Sequence, residues 1–347
     1  MKRLTSLGAL WLVSALLISS CKDKKSNGND QGNNNAGGVA DSSLASLNQK
    51  ILDDPNNFVN YLDRAKYYGT KNQYKDALDD ISRALRADST RGEIYLYRGE
   101  IYWFQSNVEG AYKEYEHCLK FEGENTDCLL KKAAIDIALN NYDIALGHIN
   151  TALRKDEQLP YAYYLKGRMY REIGDTTLAA SSYQTSIELN PDFYDAYIEL
   201  ALLYAAQHSD LALEYYNTAI GIKPNSVEAL YNKAMYLQEN AGKNRDRFDR
   251  AFDCYSKIEE VDPSNAAANF NKGYIYLEKL MKYDSASMEF TTAIQKFPGY
   301  FQAYYNRGLC YESMDKKAEA ESDYRAALKI SPGYTDAAKA LSRVRGE

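Results

Sequence analysis

The residues that could bind a metal ion or act as nucleophiles are few and far apart in this sequence. Its three histidines, His117, His148 and His208, lie in different segments, and none has a cysteine or a second histidine at the spacing of a metal site. No glycine-rich phosphate loop and no nucleophile elbow is present. Most of the 48 Asp and Glu residues fall on the polar faces of predicted helices, where solvated side chains are a simpler interpretation than acid–base pairs. The sequence therefore predicts a protein that is not an enzyme and has no metal, cofactor or small-molecule substrate.

Two cysteines could instead do redox chemistry with each other. Cys118 lies near the end of one predicted helix and Cys128 near the start of the next, so the loop between them allows a disulfide in an oxidising compartment. Both positions also suit a small buried side chain, which cysteine supplies. The sequence leaves both interpretations open, and it predicts that Cys254 and Cys310 are packing residues.

The N-terminus carries the pattern of an export signal. Basic residues at positions 2 and 3 precede an apolar stretch, residues 7–18, which is too short to span a bilayer comfortably. Residues 18–21, Ile-Ser-Ser-Cys, resemble the bacterial lipoprotein signal, which directs lipid attachment to the cysteine and cleavage before it. The resemblance implies lipidation at Cys21, membrane contact through this anchor only, and a place in the bacterial cell envelope. Because Lys22 follows the cysteine, we expect the outer membrane; the alternative is an ordinary cleaved signal with an incidental cysteine.

Charge and composition describe the mature chain further. Removing residues 1–20 takes away two of the 42 basic residues and none of the 48 acidic ones, which leaves a net charge of −8. Such a chain repels a phosphate backbone, so nucleic acid is not an expected partner. Residues 21–40 are rich in Asn and Gly and predict a disordered tether.

A helical hairpin is the basic element of the remaining sequence. In residues 301–332, aromatic and small side chains recur at helical spacing in two halves, with a turn at residues 314–316 between them. Gly308 and Ala327 lie where the two helix axes must approach closely, and Pro332 ends the second helix. A single hairpin cannot bury its apolar faces, so it needs copies of itself on either side.

The pattern occurs eight times in residues 58–332. The third copy has Asp136 where an aromatic residue belongs, and the fifth is one residue short near residues 208–210. The sixth has about five extra residues within residues 238–249, which we expect to form a polar loop at one rim. Two further segments flank the copies: residues 41–57 predict a half-repeat helix with Asp41 as its N-cap, and residues 333–347 predict a capping helix.

These copies resemble the tetratricopeptide repeat of roughly 34 residues. That repeat has a bulky residue, a small residue and an aromatic residue in its first helix, then Ala, an aromatic residue, Ala and Pro. The fourth copy shows the match with Tyr163, Gly167, Tyr170, Ala179, Tyr183, Ser186 and Pro191. The resemblance implies an all-α solenoid, a right-handed superhelix of about eight hairpins with an N-terminal half-repeat and a C-terminal capping helix.

The resemblance also implies a binding surface, because the first helices of this family line a concave groove that holds partner proteins. Tyr163 and Tyr304 are expected to point into the core, and the next residue of each pair into the groove. The side chains placed in the groove by the family pattern are Tyr97, Trp103, Phe104, Tyr161, Tyr164, Arg168, Tyr231, Asn232, Phe270, Asn271, Tyr274, Tyr305 and Asn306.

Three of these residues, Asn232, Asn271 and Asn306, share one position of the repeat. A ladder of side-chain amides can donate to and accept from an extended peptide backbone, although Asn is also simply the commonest residue of the family at that position. The expected function is a non-catalytic adaptor that binds an extended or helical segment of an unidentified partner protein, in the assembly of an outer-membrane or secretion complex. The alternative is a structural array that associates with itself.

Overall fold

The computed structural model describes residues 36–242 and 244–347, with side chains from residue 44 onward. Within these ranges the chain forms eighteen α-helices, one π-helical turn and no β-strand. The described residues fall into two units, the first ending at residue 55 and the second comprising residues 56–347. The second unit consists of consecutive helical hairpins, which is the all-α architecture that the sequence predicts.

Eight hairpins and one final helix make up the second unit. We number the hairpins 1 to 8, and each has a first and a second helix that pack against each other. The first helices are α2 (Phe58–Thr70), α4 (Gly92–Phe104), α6 (Thr126–Ala138), α8 (Pro160–Ile173), α10 (Tyr194–Ala206), α12 (Val227–Glu239), α14 (Ala266–Tyr274) and α16 (Phe301–Ser313). The second helices are α3 (Tyr74–Ala87), α5 (Val108–Phe121), α7 (Tyr142–Lys155), α9 (Thr176–Leu189), α11 (Leu211–Ile222), α13 (Arg245–Val261), α15 (Tyr283–Lys296) and α17 (Lys317–Ile330). The final helix is α18 (Thr335–Arg345), which packs on α17.

The first unit contains one described helix, α1 (Ala36–Asp53). It begins five residues before Asp41, so Asp41 is not its N-cap, and the end of the predicted tether is helical. The large apolar residues of this segment start only at Leu44, and the turns before it carry mostly small residues. Hydrophobic periodicity therefore could not locate the first turns of α1. No helix in the described part of the chain combines the length and the apolar character needed to cross a bilayer.

Small residues bring the two helices of a hairpin together. A β-carbon built at Gly308 would lie 2.6 Å from the ring of Tyr324, and one at Gly167 would lie 2.5 Å from the ring of Tyr183. Real β-carbons are not found this close to a ring, so the ring occupies the space that the missing side chain leaves. The structure therefore confirms that Gly308 marks a close approach of two helices.

Ion pairs between the two helices accompany these contacts. The residue before the small residue is basic in seven of the eight hairpins, and in four of these it pairs with an acidic residue that stands just before a large buried residue of the second helix. These pairs are Arg64–Asp80 (2.6 Å), Arg98–Glu114 (2.7 Å), Lys272–Glu289 (3.2 Å) and Arg307–Asp323 (2.7 Å). Each acidic partner is largely buried and the basic side chain covers it, so the pairs fix the relative position of the two helices.

Hairpin 7 contains the π-helical turn, residues Ile275–Lys279. It has one residue more between Gly273 and Ala286 than hairpin 8 has between Gly308 and Ala320. A π-turn closes its hydrogen bond over five residues instead of four, here from Leu280 N to the Ile275 carbonyl at 3.1 Å, so it absorbs the extra residue.

The insertion of hairpin 6 is largely helical. α13 begins six residues before Ala251, whereas α3 begins three residues before the equivalent Ala77. About three of the extra residues therefore lengthen α13 by nearly one turn. The expectation that the extra residues within 238–249 form a polar loop is only partly met: residues 240–242 and 244 lie between the helices, but Ala241 and Phe248 are buried and hold this segment against the core.

The short turn of hairpin 5 contacts this insertion. His208 Nδ1 and Asn240 Oδ1 lie 2.7 Å apart. Asp210 accepts a hydrogen bond from the Tyr236 hydroxyl at 2.9 Å and forms an ion pair with Arg247. The two irregular turns therefore form one connected polar cluster.

Cys118 in α5 and Cys128 in α6 form a disulfide that joins hairpins 2 and 3. Both side chains are also fully buried in a small cluster with Tyr95, so the bridge and the packing interpretation hold together. Cys254 and Cys310 are free and buried, as expected for packing residues.

The unusual Asp136 of hairpin 3 is 1% exposed and accepts a hydrogen bond from the Tyr112 hydroxyl at 3.3 Å. His148 Nε2 lies 3.6 Å from its carboxylate. Burial and the positive charge of Lys132 lower the pKa of His148. Polar contacts thus replace the aromatic packing of the other hairpins at this position.

Candidate functional site

The first helices of neighbouring hairpins contact each other directly, for example α2 with α4, α6 with α8, and α10 with α12. A hydrogen bond from Asn271 to Tyr231 joins α14 to α12 in the same way, so accessible side chains of neighbouring first helices lie side by side at these places. We call the accessible side chains of α2, α4, α6, α8, α10, α12, α14 and α16 the first-helix face. All groove residues that the sequence predicts lie on these helices.

The predicted residues of hairpin 2 have mainly structural contacts. The Tyr97 hydroxyl donates to the Ala65 carbonyl at 3.2 Å and so joins α4 to α2, and burial raises the pKa of Tyr97 to about 12. Trp103 is half-buried beside Tyr115 and Ile135. Phe104 is 52% exposed and offers an apolar surface.

The predicted residues of hairpin 4 divide into core and surface. Tyr164 is only 4% exposed, and its ring packs 5.8 Å from that of Tyr183 between centroids, so its assignment to the groove is wrong. It lies three residues before Gly167 and therefore meets the ring that fills the space beside this glycine. Tyr163, expected in the core, is half-buried. Tyr161 is half-buried and stacks on Tyr164 at 6.0 Å.

Hairpin 8 shows the same reversal. Tyr305 packs 5.8 Å from the ring of Tyr324 and 5.2 Å from that of Tyr334, and burial raises its pKa. Tyr304 is half-buried beside the guanidinium of Arg307. The second tyrosine of each pair therefore packs against the core, and of the two only Tyr305 keeps a partly accessible side chain.

Charged side chains surround Arg168, another predicted groove residue. Glu199 pairs with Arg171, yet burial raises the pKa of Glu199 in spite of this partner. Burial also raises the pKa of Asp195, while the positive charges of Lys223 and Arg168 oppose the shift. This section of the first-helix face is polar and only partly hydrated.

A pocket of about 420 Å³ opens on the first-helix face between α12 and α14. Its lining residues are Met235, Gln238, Glu239, Phe270, Asn271, Tyr274 and Lys279. Three of the predicted residues, Phe270, Asn271 and Tyr274, come together here. The Phe270 ring stacks on Tyr300 with centroids 4.8 Å apart, which holds the pocket wall in place.

Four pocket residues were missed by sequence reasoning. Met235 and Gln238 follow the predicted Tyr231 at helical spacing, so extending that face by two turns would have found them. Glu239 is the next residue after Gln238 in the sequence. Lys279 lies at the end of the π-helical turn, and no periodicity of an α-helix places it on this surface.

Hydrogen bonds fix the side-chain amides around the pocket. Asn271 Nδ2 donates to the Tyr231 hydroxyl at 3.2 Å and to the Ala267 carbonyl at 3.0 Å. Asn306 Nδ2 donates to the Gln302 carbonyl at 2.8 Å. The expectation of an amide that both donates to and accepts from a peptide is therefore wrong for Asn271, because both of its N–H groups bond within the protein. The bond from the Asn306 nitrogen uses only one of its two N–H groups, so the expectation stays a prediction for Asn306. Asn232 is half-buried on α12.

The predicted lipidation site, Cys21, lies outside the described residues.

Sequence comparison gives three family matches. Residues 301–334 match a model described as tetratricopeptide repeat, residues 167–207 match one described as TPR repeat, and residues 62–117 match a further tetratricopeptide repeat model. The three segments lie in hairpin 8, hairpins 4 and 5, and hairpins 1 and 2. They therefore sample both ends and the middle of the array.

Two curated relatives and one solved structure that resemble this chain share less than a quarter of their aligned residues with it. The chain is 24% identical over 322 residues to the DnaJ protein P58IPK homolog B of Oryza sativa subsp. japonica, covering 87% of this chain and 62% of that protein. It is 23% identical over 300 residues to the DnaJ homolog subfamily C member 7 homolog of Dictyostelium discoideum, covering 82% and 51%. The chain thus spans between half and two thirds of the length of these relatives. The C-terminal part of a TPR repeat-containing protein from Cytophaga hutchinsonii is 22% identical, with a TM-score of 0.47, covering 66% of this chain and 93% of that one.

The hairpins, their small and aromatic contact residues and the three family matches lead to one assignment. This chain is a tetratricopeptide repeat protein.

Proposed function

We propose that this protein is a non-catalytic scaffold that binds an extended segment of a partner protein along its first-helix face. Tetratricopeptide repeats are protein–protein interaction modules, so a protein partner is the general expectation for this chain. The observation that carries the more specific proposal is the pocket between α12 and α14. It lies on the face formed by contacting first helices, and three residues that the repeat pattern places in the groove line it.

The electrostatics of the face support a polar segment as the ligand. Asp195, Glu199 and Arg168 form a partly buried charged section near hairpin 4, whereas the pocket residues are mostly neutral. An extended chain can contact both regions because it follows the direction in which the hairpins succeed one another.

We further propose that a lipid on Cys21 holds the protein at the bacterial envelope, at the outer membrane, where the partner is a component of an outer-membrane or secretion complex. The support is the sequence pattern of residues 18–21. Labelled palmitate should enter the wild-type protein but not a Cys21→Ala variant, and the label should fractionate with outer membranes. Incorporation into the variant would exclude this site.

The partner-binding face can be tested by photo-crosslinking in cells. A photoreactive p-benzoylphenylalanine replaces Lys279 at the pocket, or Met288, which is 71% exposed on the second helix α15. We expect a discrete adduct from position 279 and none from position 288, and mass spectrometry of the adduct identifies the partner. Adducts from position 288 alone would contradict the proposal.

Self-association gives a different result in the same experiment. An adduct of this chain with itself, together with a stable oligomer in light scattering, would favour the structural array over the scaffold.

A further inference from the structure

We propose that the pocket between α12 and α14 binds the side-chain amide of a glutamine in the partner segment. The inference rests on the proposed function, because it names the group that this part of the first-helix face recognises. It is carried by two buried amides whose hydrogen bonds fix one as a donor and the other as an acceptor.

Gln238 supplies the donor. The residue is 6% exposed, and its Oε1 accepts a hydrogen bond from the Tyr255 hydroxyl at 3.1 Å. This contact orients the amide, so that Nε2 points away from Tyr255. Nε2 has no hydrogen-bond partner in the described part of the chain, although Gln238 lines the pocket. This nitrogen is not among the fully buried unpaired polar atoms of the described residues, so it is accessible from the pocket and can donate to a ligand oxygen there.

Asn271 supplies the acceptor. It is 8% exposed, and its nitrogen donates to the Tyr231 hydroxyl and the Ala267 carbonyl. These two bonds fix the orientation of the amide and use both of its N–H groups. Oδ1 has no hydrogen-bond partner among the described residues, so it is the group that Asn271 can offer to a ligand.

A carboxamide complements this pair. Its carbonyl oxygen can accept from Gln238 Nε2, while its N–H can donate to Asn271 Oδ1. A carboxylate has no proton to donate to Asn271, and an ammonium group cannot accept from Gln238. The pocket therefore distinguishes an amide from both kinds of charged side chain.

The other lining residues favour glutamine as the source of that amide. Met235 and Phe270 offer apolar surface against which its two methylene groups can pack. Glu239 and Lys279 bring one charge of each sign to the pocket, so the pocket has no net charge that would attract an ionised side chain. A volume of about 420 Å³ accommodates a complete side chain rather than only a passing backbone.

The test uses the full chain and three pentapeptides, Ala-Ala-X-Ala-Ala, in which X is Gln, Glu or Met. Acetyl and N-methylamide caps ensure that the glutamine side chain is the only primary amide. Affinity is measured by calorimetry, and the side-chain ¹⁵N–H signals of Gln238 and Asn271 are followed by NMR. We expect the Gln peptide to bind about tenfold or more tightly than the other two and to shift both signals.

Two variants test whether the preference for the Gln peptide arises at Gln238. Gln238→Glu keeps an oxygen for Tyr255 but replaces the N–H donors, so the preference for the Gln peptide should disappear. Gln105→Glu makes the same change at an exposed residue of hairpin 2 and should leave the preference intact.

Each other outcome contradicts the inference. If the Gln and Met peptides bind equally, or if neither binds, the pocket does not recognise a side-chain amide. A preference that survives Gln238→Glu places recognition elsewhere. The scaffold proposal fails separately, through the absence of adducts at position 279.

Discussion

Single residues set the distance between the two helices of each hairpin. Gly308→Ala places a methyl group where the ring of Tyr324 would be 2.6 Å away, so the helices must separate. We expect a loss of unfolding free energy of roughly 1–3 kcal/mol, measured by urea denaturation. The control is Gly147→Ala in α7, where a β-carbon has nothing within 4 Å. That change should stabilise the helix by up to about 1 kcal/mol, and equal effects at both positions would contradict the packing argument.

Glu312 makes the attachment of the final helix pH-dependent. Its carboxylate accepts hydrogen bonds from Arg343 of α18, at 2.7 Å, and from the Tyr324 hydroxyl, at 2.7 Å. The bonds from Arg343, with the Tyr324 bond adding to them, lower the pKa of Glu312 against the opposing effect of burial. Because the folded protein binds this proton less tightly than the unfolded chain, the contribution is present above the ordinary pKa of glutamate. It is lost as pH falls through the lowered value.

The measurement compares wild type with Glu312→Gln. The variant should be less stable at about pH 7, and the difference should largely vanish at about pH 3. Glu157→Gln removes the same charge at an exposed residue of the loop between α7 and α8 and should show no such convergence. A difference independent of pH would mean that the ion pair does not stabilise the folded protein.

Residue types alone could not separate groove from core. Tyr164 and Asn271 occupy positions that the repeat pattern assigns to the groove, yet both are largely buried. The reason lies in neighbouring helices: Tyr164 packs against Tyr183 of its own hairpin, and Asn271 bonds to Tyr231 of the preceding one. The ion pairs were accessible to sequence reasoning, since a basic and an acidic residue recur 16 positions apart, as in Arg64 and Asp80.

At the level of elements, the turns inside the hairpins contain residues with a left-handed backbone conformation, and its cost can be measured. Met281 has φ 52°, in the left-handed region, and its side chain is 70% exposed. A side chain in this conformation costs roughly 1–2 kcal/mol, which glycine avoids. Met281→Gly should therefore raise the unfolding free energy, by about 1 kcal/mol.

Met288 offers a matched control for this change. It is 71% exposed but lies inside α15, so Met288→Gly should lower the unfolding free energy by about 1 kcal/mol. Chemical denaturation of both variants measures the two signs. A loss of stability in both would show that the turn conformation is not strained.

The periodicity of the sequence predicted which segments form helices, but it did not predict the π-helical turn of hairpin 7 or the extension of α13. Eight hairpins could be predicted because small and aromatic residues recur at fixed spacing. The extra residue of hairpin 7 could have joined the turn or the helix, and only packing on both sides of Gly273 places it in a π-turn. The extension of α13 depends in the same way on Phe248 finding a buried site.

At the scale of the whole molecule, each hairpin packs mainly on its neighbours, so unfolding can begin locally. The disulfide between Cys118 and Cys128 links α5 to α6 and couples hairpins 2 and 3. Replacing both cysteines with alanine should lower the unfolding free energy by roughly 2–3 kcal/mol, because the short closed loop no longer constrains the unfolded chain.

Native-state hydrogen exchange should locate this effect in hairpins 1 to 3. Reductant should destabilise wild type in the same way and leave the double variant unchanged. Equal sensitivity of both proteins to reductant would show that the bridge is not the cause.

The cluster that joins hairpins 5 and 6 limits how freely the repeats can be exchanged. His208 and Asp210 find their partners only because the next hairpin carries the longer turn and the extended α13. A designer who replaced hairpin 6 with a regular copy would remove Asn240 and Arg247, and would leave the shortened turn of hairpin 5 without its partners. These two hairpins should therefore be transplanted, deleted or redesigned as one module, while hairpin 8, with its regular spacing, is the better template for a uniform array.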